Sequence, residues 1–271
     1  MASVVIITIL AGCTASKPLN DSTVSATLWV QNSAEYEALT TMAYQSAEAQ
    51  LDTALHTDSW TASLEQQGND YGSLPPAVVL DVDETVLDNS AFQARLIKKS
   101  ESYSSKKWNN WVREQKADPV PGALSFTQAA EAKGITVIYL TNRDVSVEEA
   151  TYQNLKKVGF PLKKDVDVLL TNNERPGWSS DKTNRRKYVA ENYRILMLLG
   201  DNLNDFLPAK DRSGSERKKF VSEHKNRLGT QWFVFPNPVY GSWEDALYNF
   251  DSSLSPEQIE AQKLEKLDTK N

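Results

Sequence analysis

Apolar positions along this chain fall into two patterns. Residues 77–80, 135–140, 166–170 and 195–199 are short apolar runs without alternation, and 232–235 adds a fifth. A strand with one wet face alternates, whereas a strand buried on both faces does not, so these runs predict a parallel sheet covered by helices. Helix-like stretches at 123–133, 147–158 and 183–192 separate the runs. Strand and helix in alternation predict a doubly wound α/β domain. Upstream, Tyr36, Leu39, Ala43, Ala47, Leu51 and Leu55 recur at the spacing of one helix face, which predicts a single long amphipathic helix over 22–56. Residues 57–76, with Gly68, Asn69, Asp70, Gly72, Pro75 and Pro76, read as a loop. Ser255, Pro256 and Gln258 stand at the N-cap, first and third positions of a last helix.

The N-terminus has a different character. Val4 to Leu10 is apolar but far shorter than the ~20 residues of a membrane span. It has the length of a secretory apolar region and ends in Leu10-Ala11-Gly12-Cys13. That tetrapeptide resembles the lipobox of bacterial lipoproteins, in which the cysteine is lipidated and begins the mature chain. The resemblance implies a signal peptide over 1–13, lipidation at Cys13 and a polar linker over 14–27. No Lys or Arg precedes the run, so the basic region that opens a secretory leader is missing. An ordinary N-terminus that happens to hold a Cys is therefore the alternative. Thr14 in the position after Cys13 resembles the outer-membrane sorting pattern of enteric bacteria, with the protein facing the periplasm or the exterior.

Composition narrows the chemistry. The 271 residues suffice for one large domain or two small ones. One Cys and two His exclude an internal disulfide, a Cys/His zinc site and His-rich metal centres. A net charge of −6 and a pI near 5.2 argue against binding polymeric nucleic acid, which needs clustered Lys and Arg. With 36 Asp plus Glu, polar chemistry rests on carboxylates.

Those carboxylates collect where predicted strands end. The first run leads into Asp81-Val82-Asp83-Glu84-Thr85, and a later one into Gly200-Asp201-Asn202-Leu203-Asn204-Asp205. Sites in open α/β sheets lie outside the carboxyl ends of strands, so both groups are expected in one crevice. Crowded carboxylates there call for a hard, oxygen-loving cation, Mg²⁺ first among them. An EF-hand loop starting at Asp81 is excluded, because Val86 and Phe92 stand where that loop needs Gly and Glu. Thr141-Asn142-Arg143 follows the second run, and Thr141 and Asn142 supply a hydroxyl and an amide able to bond an anion's oxygens. Lys182, followed by Arg185 and Arg186, adds positive charge. A metal, donors and a fixed cation together suit phosphoryl transfer.

The Asp81/Asp83 pair, Thr141, Lys182 and the Asp201/Asp205 pair are similar to the four motifs of the haloacid dehalogenase (HAD) superfamily. Val79-Leu80-Asp81-Val82-Asp83-Glu84-Thr85-Val86-Leu87-Asp88-Asn89 and Gly200-Asp201-Asn202-Leu203-Asn204-Asp205-Phe206 resemble class C acid phosphatases. The likeness extends to Trp29-Val30-Gln31, Glu35-Tyr36, Trp108, Trp111-Val112, Pro121-Gly122-Ala123 and the stretch from Pro236 to Glu244. These enzymes include outer-membrane lipoprotein acid phosphatases and 5′-nucleotidases. The resemblance implies a HAD-like Rossmannoid domain over 28–271, with a helical accessory (cap) region built from the N-terminal extension and an insertion near 88–120. It implies small phosphomonoester substrates and an aspartyl-phosphate on Asp81, with Asp83 as general acid and base. Thr141 would hold the phosphoryl group with Asn142 beside it, and Lys182 would orient Asp81. Mg²⁺ would be held by Asp81, the carbonyl of Asp83, Asp201 and Asp205, the last directly or through water.

Several positions keep two readings. Lys163, Lys164 and Lys187 compete with Lys182 as the fixed cation. Trp108 and Tyr240 resemble the aromatic pair that holds a nucleotide base, against simple packing. Packing is the preferred reading of Trp111 and Trp243, and a structural role that of His56 and His224. Glu84 and Asp88 read either as support for the site or as caps. Two other function classes carry related residues: a phosphoaspartate receiver domain, against which the adjacent Asp81/Asp83 pair argues, and a non-catalytic surface lipoprotein.

Overall fold

The computed structural model describes residues 21–270. Cys13, the 1–13 signal segment and the first part of the expected linker lie outside the described residues. In chain order the helices are α1 (Asp21–Asn32), α2 (Ala34–Leu55), α3 (Ser90–Lys99), α4 (Ser105–Glu114), α5 (Ala123–Ala132), α6 (Glu148–Lys157), α7 (Thr183–Asn192), α8 (Gly214–Glu223), α9 (Ser242–Asp245) and α10 (Pro256–Glu265). The strands are β1 (Pro76–Leu80), β2 (Leu87–Asp88), β3 (Asp118–Pro119), β4 (Thr136–Asp144), β5 (Leu169–Asn172), β6 (Arg194–Gly200) and β7 (Trp232–Val234).

The central sheet is parallel throughout, in the order β5-β4-β1-β6-β7. The lack of alternation in the strand sequences has a direct cause. On β1, Val78 and Leu80 enter a core shared with Leu51 of α2 and Phe126 of α5, while Ala77 and Val79 enter a second core shared with Val189 of α7 and Phe206. Both sheet faces are dry, so every position is apolar. Each fully buried Val or Leu contributes roughly 1.5–3 kcal/mol over its exposed state, which makes the end of β1 a rigid support. From β1 the chain fills β4 and β5 on one side, then β6 and β7 on the other. The carboxyl ends of β1, β4 and β6 therefore border the place where strand order reverses.

Three expectations change. The single helix over 22–56 is two helices, broken at Ser33. Its backbone is extended (φ −84°, ψ 134°) and its side chain accepts from the Tyr36 amide, so it caps α2. Every apolar position of that period, Tyr36 to Leu55, belongs to α2, and Tyr36 packs back onto Trp29 and Val30 of α1. The expected linker over 14–27 is accordingly helical from Asp21. The strand expected at 166–170 begins only at Leu169, whose amide is capped by the Asp167 carboxylate, and Val166 is exposed.

The insertion is clipped at its base. Leu87 pairs with Pro119 and Asp88 with Asp118 in a short antiparallel ribbon, which holds α3 and α4 as a cap over the sheet's carboxyl end. α1 packs against α3, so the N-terminal extension and the insertion form one accessory layer. The last helix begins as its sequence predicts, with Ser255 and Gln258 closing a reciprocal cap and Pro256 in the first turn.

Candidate active site

Asp81 leaves β1 directly, and its amide is bonded to the Leu199 carbonyl of β6. Asp201 and Asp205 follow β6. Asn202 caps the short turn over Leu203–Asp205, and the Asp205 carboxylate accepts the Asn202 amide in return at 2.9 Å. These locks bring carboxylate oxygens of Asp81, Asp201 and Asp205 within 4.8 Å of one another. Lys182, from the start of α7, donates to Asp81 and, at 2.6 Å, to Asp205. Among the described lysines, Lys182 is the one bonded to Asp81, whereas Lys163 bonds Thr136.

The charge balance of this group is uneven. Desolvation pushes the Asp81 carboxyl up to about 7; Lys182 pulls it down, while Asp205 and Asp83 push it further up. Desolvation also drives Asp201 well above the carboxylate range, with repulsion from Asp81 and Asp205 adding to it. Burial works against the charge on Lys182, but Asp205 and Asp81 outweigh it and its ammonium is held more firmly than usual. One lysine serves two of three carboxylates, and among the described residues Asp201 has only the Asn237 side-chain amide, at 2.8 Å. An all-oxygen donor set with surplus negative charge fits a hard divalent cation.

Asp83 lies apart from that cluster. Its Oδ1 accepts from Arg143 Nη2 at 2.8 Å, Arg143 Nε at 3.0 Å and Asn89 Nδ2 at 2.9 Å. Thr141 is wholly buried, its hydroxyl accepting from the Arg143 amide at 3.1 Å. Asn142 faces the cleft, its amide oxygen held by Arg185 and its nitrogen bonded to the Ser180 carbonyl at 3.1 Å. Arg185 and Arg186 do not stand free beside the crevice. Both are fully buried, Arg185 on the Thr141 carbonyl and Arg186 on Glu65 and the Asn204 carbonyl.

The carboxylates, Lys182, Asn142 and Arg143 open on a cleft of about 610 Å³, within the range of small-molecule sites. Asp81, Asp83, Lys182, Asp201 and Asp205 form its floor. Phe92, Tyr103, Trp108 and Tyr240 contribute the aromatic part of its lining. Trp108 meets Phe92 edge-on at 5.2 Å, and the Tyr240 hydroxyl donates to Glu84.

Trp111 does more than pack, since its indole N–H donates to Asn89 Oδ1 at 2.8 Å. Trp243 is largely exposed and bonds the Asn237 carbonyl. His56 and His224 each bond a carbonyl of their own helix, and His224 stacks on Trp232. Asp88 caps α3 through the Ser90 amide. Glu84 is buried in a left-handed conformation (φ 59°), and burial together with Asp83 pushes its carboxyl up to about 8. Sequence reasoning gave Asn89, Arg143 and Asn237 no role. The Asn that follows Leu87-Asp88 was the only local signal for any of them.

The sequence matches the family model described as HAD superfamily, subfamily IIIB (Acid phosphatase) over residues 8–243. The class C acid phosphatase from Bacillus anthracis superposes with a TM-score of 0.80 at 33% identity, covering 93% of this chain and 98% of that one. The chain belongs to this HAD acid phosphatase family. The Bacillus anthracis enzyme with tungstate bound superposes equally well, at a TM-score of 0.79 and 33% identity over the same shares of each chain. Plant members of similar sequence are more distant. The stem 28 kDa glycoprotein of Glycine max is 27% identical over 168 residues, 60% of this chain and 58% of its own. Acid phosphatase 1 of Solanum lycopersicum is 25% identical over 163 residues, 60% of this chain and 57% of its own. The match thus spans little more than half the length of these plant relatives.

Proposed function

We propose that this protein is a phosphomonoesterase that hydrolyses small phosphate esters, nucleoside monophosphates among them, through an aspartyl-phosphate on Asp81. The observation that carries the reading is the placement of the Asp81, Asp201 and Asp205 carboxylates with Lys182 at the floor of one cleft, with Asp83 beside them. Asp81, Asp201 and Asp205 would hold a divalent cation, Mg²⁺ by the chemistry of the donors, with the Asp83 carbonyl as a further ligand by family resemblance. Such a cation supplies positive charge at the phosphoryl oxygens.

The protein's own residues do the rest. Asp81 Oδ2, the oxygen not bonded to Lys182, attacks phosphorus as the ester P–O bond breaks, and the leaving oxygen takes a proton from Asp83. Water then attacks the phosphorus of phospho-Asp81 and returns a proton to Asp83, releasing phosphate and restoring both carboxyls. Lys182 fixes the rotamer of Asp81 and offsets charge on the transferring group. Asn142, which lines the cleft, binds phosphoryl oxygens; Thr141, whose hydroxyl is buried behind that lining, would join it by family resemblance, and Trp108 and Tyr240 stack a base. Tungstate in the Bacillus anthracis relative, a tetrahedral oxyanion like phosphate, supports a site for such a group. The lipobox resemblance supports an envelope protein anchored through Cys13, and Cys13→Ser should then release it from membranes into the soluble fraction.

The test is hydrolysis of p-nitrophenyl phosphate before and after chelation with EDTA. Turnover should vanish with EDTA and return with Mg²⁺. A phosphoaspartate receiver or a binding lipoprotein would show almost none under either condition, and activity indifferent to chelation would contradict the cation site.

A further inference from the structure

A continuous set of hydrogen bonds runs from the cap to the side chain of Asp83. Trp111 of α4 is buried, its ring lying under the Arg95 guanidinium at 4.7 Å, and Arg95 is itself held by Glu114 at 2.7 and 3.0 Å. The Trp111 indole N–H bonds Asn89 Oδ1, which fixes the orientation of that amide so that Nδ2 points to Asp83 Oδ1. Asn89 Oδ1 also accepts from Arg143 Nη2 at 3.2 Å, and the Asn89 backbone N–H donates to Glu84 Oε1 at 2.9 Å. Arg143 is buried and anchored from behind by Thr151 Oγ1 at 3.2 Å. Its Nε and Nη2 converge on one oxygen of Asp83 rather than spanning both.

That convergence has a chemical consequence. With three donors aimed at Oδ1, the acceptor capacity of that oxygen is used, and none of its neighbours there can accept a proton. Oδ2 is the oxygen left to exchange a proton. Arg143 and Asn89 therefore set both the rotamer of Asp83 and which of its oxygens meets the leaving group. We propose that Arg143 and Asn89, keyed by Trp111 of the cap, are positioning residues that direct Asp83 Oδ2 to the leaving oxygen, so that the docked cap governs cleavage of esters with poor leaving groups. This rests on the phosphomonoesterase reading and on Asp83 as its proton donor.

Leaving-group dependence separates positioning from mere structural support. Nitrophenolate departs with little help, whereas the alkoxide of glycerol 2-phosphate needs a proton, and a positioned acid is worth ~10²–10⁴-fold. The readout is kcat/KM, which covers only the steps up to transfer onto Asp81. Arg143→Lys should lower kcat/KM on glycerol 2-phosphate ~100-fold and on p-nitrophenyl phosphate by less than ~5-fold. Trp111→Phe keeps the ring packing but removes the N–H. It should shift the ratio of the two esters ~10-fold the same way, and it serves if the Arg143 variant does not fold. In an Asp83→Asn background neither change should move the ratio further, because both act through Asp83. Equal losses on the two esters, or a ratio shift that persists in the Asp83→Asn background, would overturn the proposal. Wild-type protein inert on both esters would overturn the underlying reading, whereas an active wild type with unshifted variants overturns this proposal alone.

Discussion

Gly200 lies directly beneath Asp205, and a Cβ at position 200 would stand 2.2 Å from Asp205 Oδ2 and 2.5 Å from its Cβ. Asp205 cannot swing aside cheaply, since Oδ2 accepts the Asn202 amide and Oδ1 accepts Lys182. The glycine ending β6 is therefore a requirement of the carboxylate cluster, independent of backbone freedom.

Gly200→Ala should displace Asp205 and open the cluster. Activity and apparent Mg²⁺ affinity should each fall at least ~10-fold, while overpacking costs about 1–3 kcal/mol of stability. Titration of activity against Mg²⁺ alongside thermal melts checks this. Wild-type affinity in the variant would mean that Asp205 does not serve the cation.

Stability of the metal-free protein should fall as pH rises. Asp81 is held at about 7, Glu84 at about 8 and Asp201 is also raised, against ordinary unfolded values near 4. A carboxyl with a raised folded pKa binds more protons folded than unfolded in that interval. Its favourable contribution is full below about pH 4 and is lost as pH climbs through about 7 to 8. Urea melts in EDTA should give a lower midpoint at pH 8 than at pH 5, and Mg²⁺ should raise the pH 8 midpoint more. A midpoint that rises with pH in EDTA would contradict the arrangement.

Trp108 tests nucleotide recognition. Stacking a base on an aromatic ring is worth ~1–3 kcal/mol, so Trp108→Ala should lower kcat/KM for adenosine monophosphate relative to ribose 5-phosphate about tenfold. The ratio is the informative quantity because Trp108 also lies under the Arg143 guanidinium at 5.6 Å. Both esters have alkyl leaving groups, so disturbance of Asp83 affects them alike. An unchanged ratio would leave Trp108 as a packing residue.

Much of this was legible in the sequence for identifiable reasons. Strands dry on both faces write themselves as unbroken apolar runs, as at Val78–Leu80, and α7 occupies the very stretch 183–192 that reads as a helix. The Asp81 and Asp201 groups were placed at strand ends because polar residues follow those runs directly. What the sequence hid depends on contacts between distant segments. The Trp111–Asn89 bond joins residues 22 apart and the Arg143–Asn89 bond residues 54 apart. No local pattern records either, and Trp111 reads as any core aromatic. The helix break at Ser33 was hidden because the apolar period begins only at Tyr36, beyond the break, and so carries no record of it. The left-handed backbone of Glu84 likewise leaves no mark in a residue type that rarely adopts it.

Asp81 as the nucleophile is the centre of the account, and its replacement is the most direct measurement. Asp81→Asn keeps the size of the side chain and removes the attacking oxygen's charge. With Mg²⁺ present, p-nitrophenyl phosphate turnover should drop at least ~10³-fold while the protein still melts cooperatively. Turnover within tenfold of the wild type would contradict the assignment.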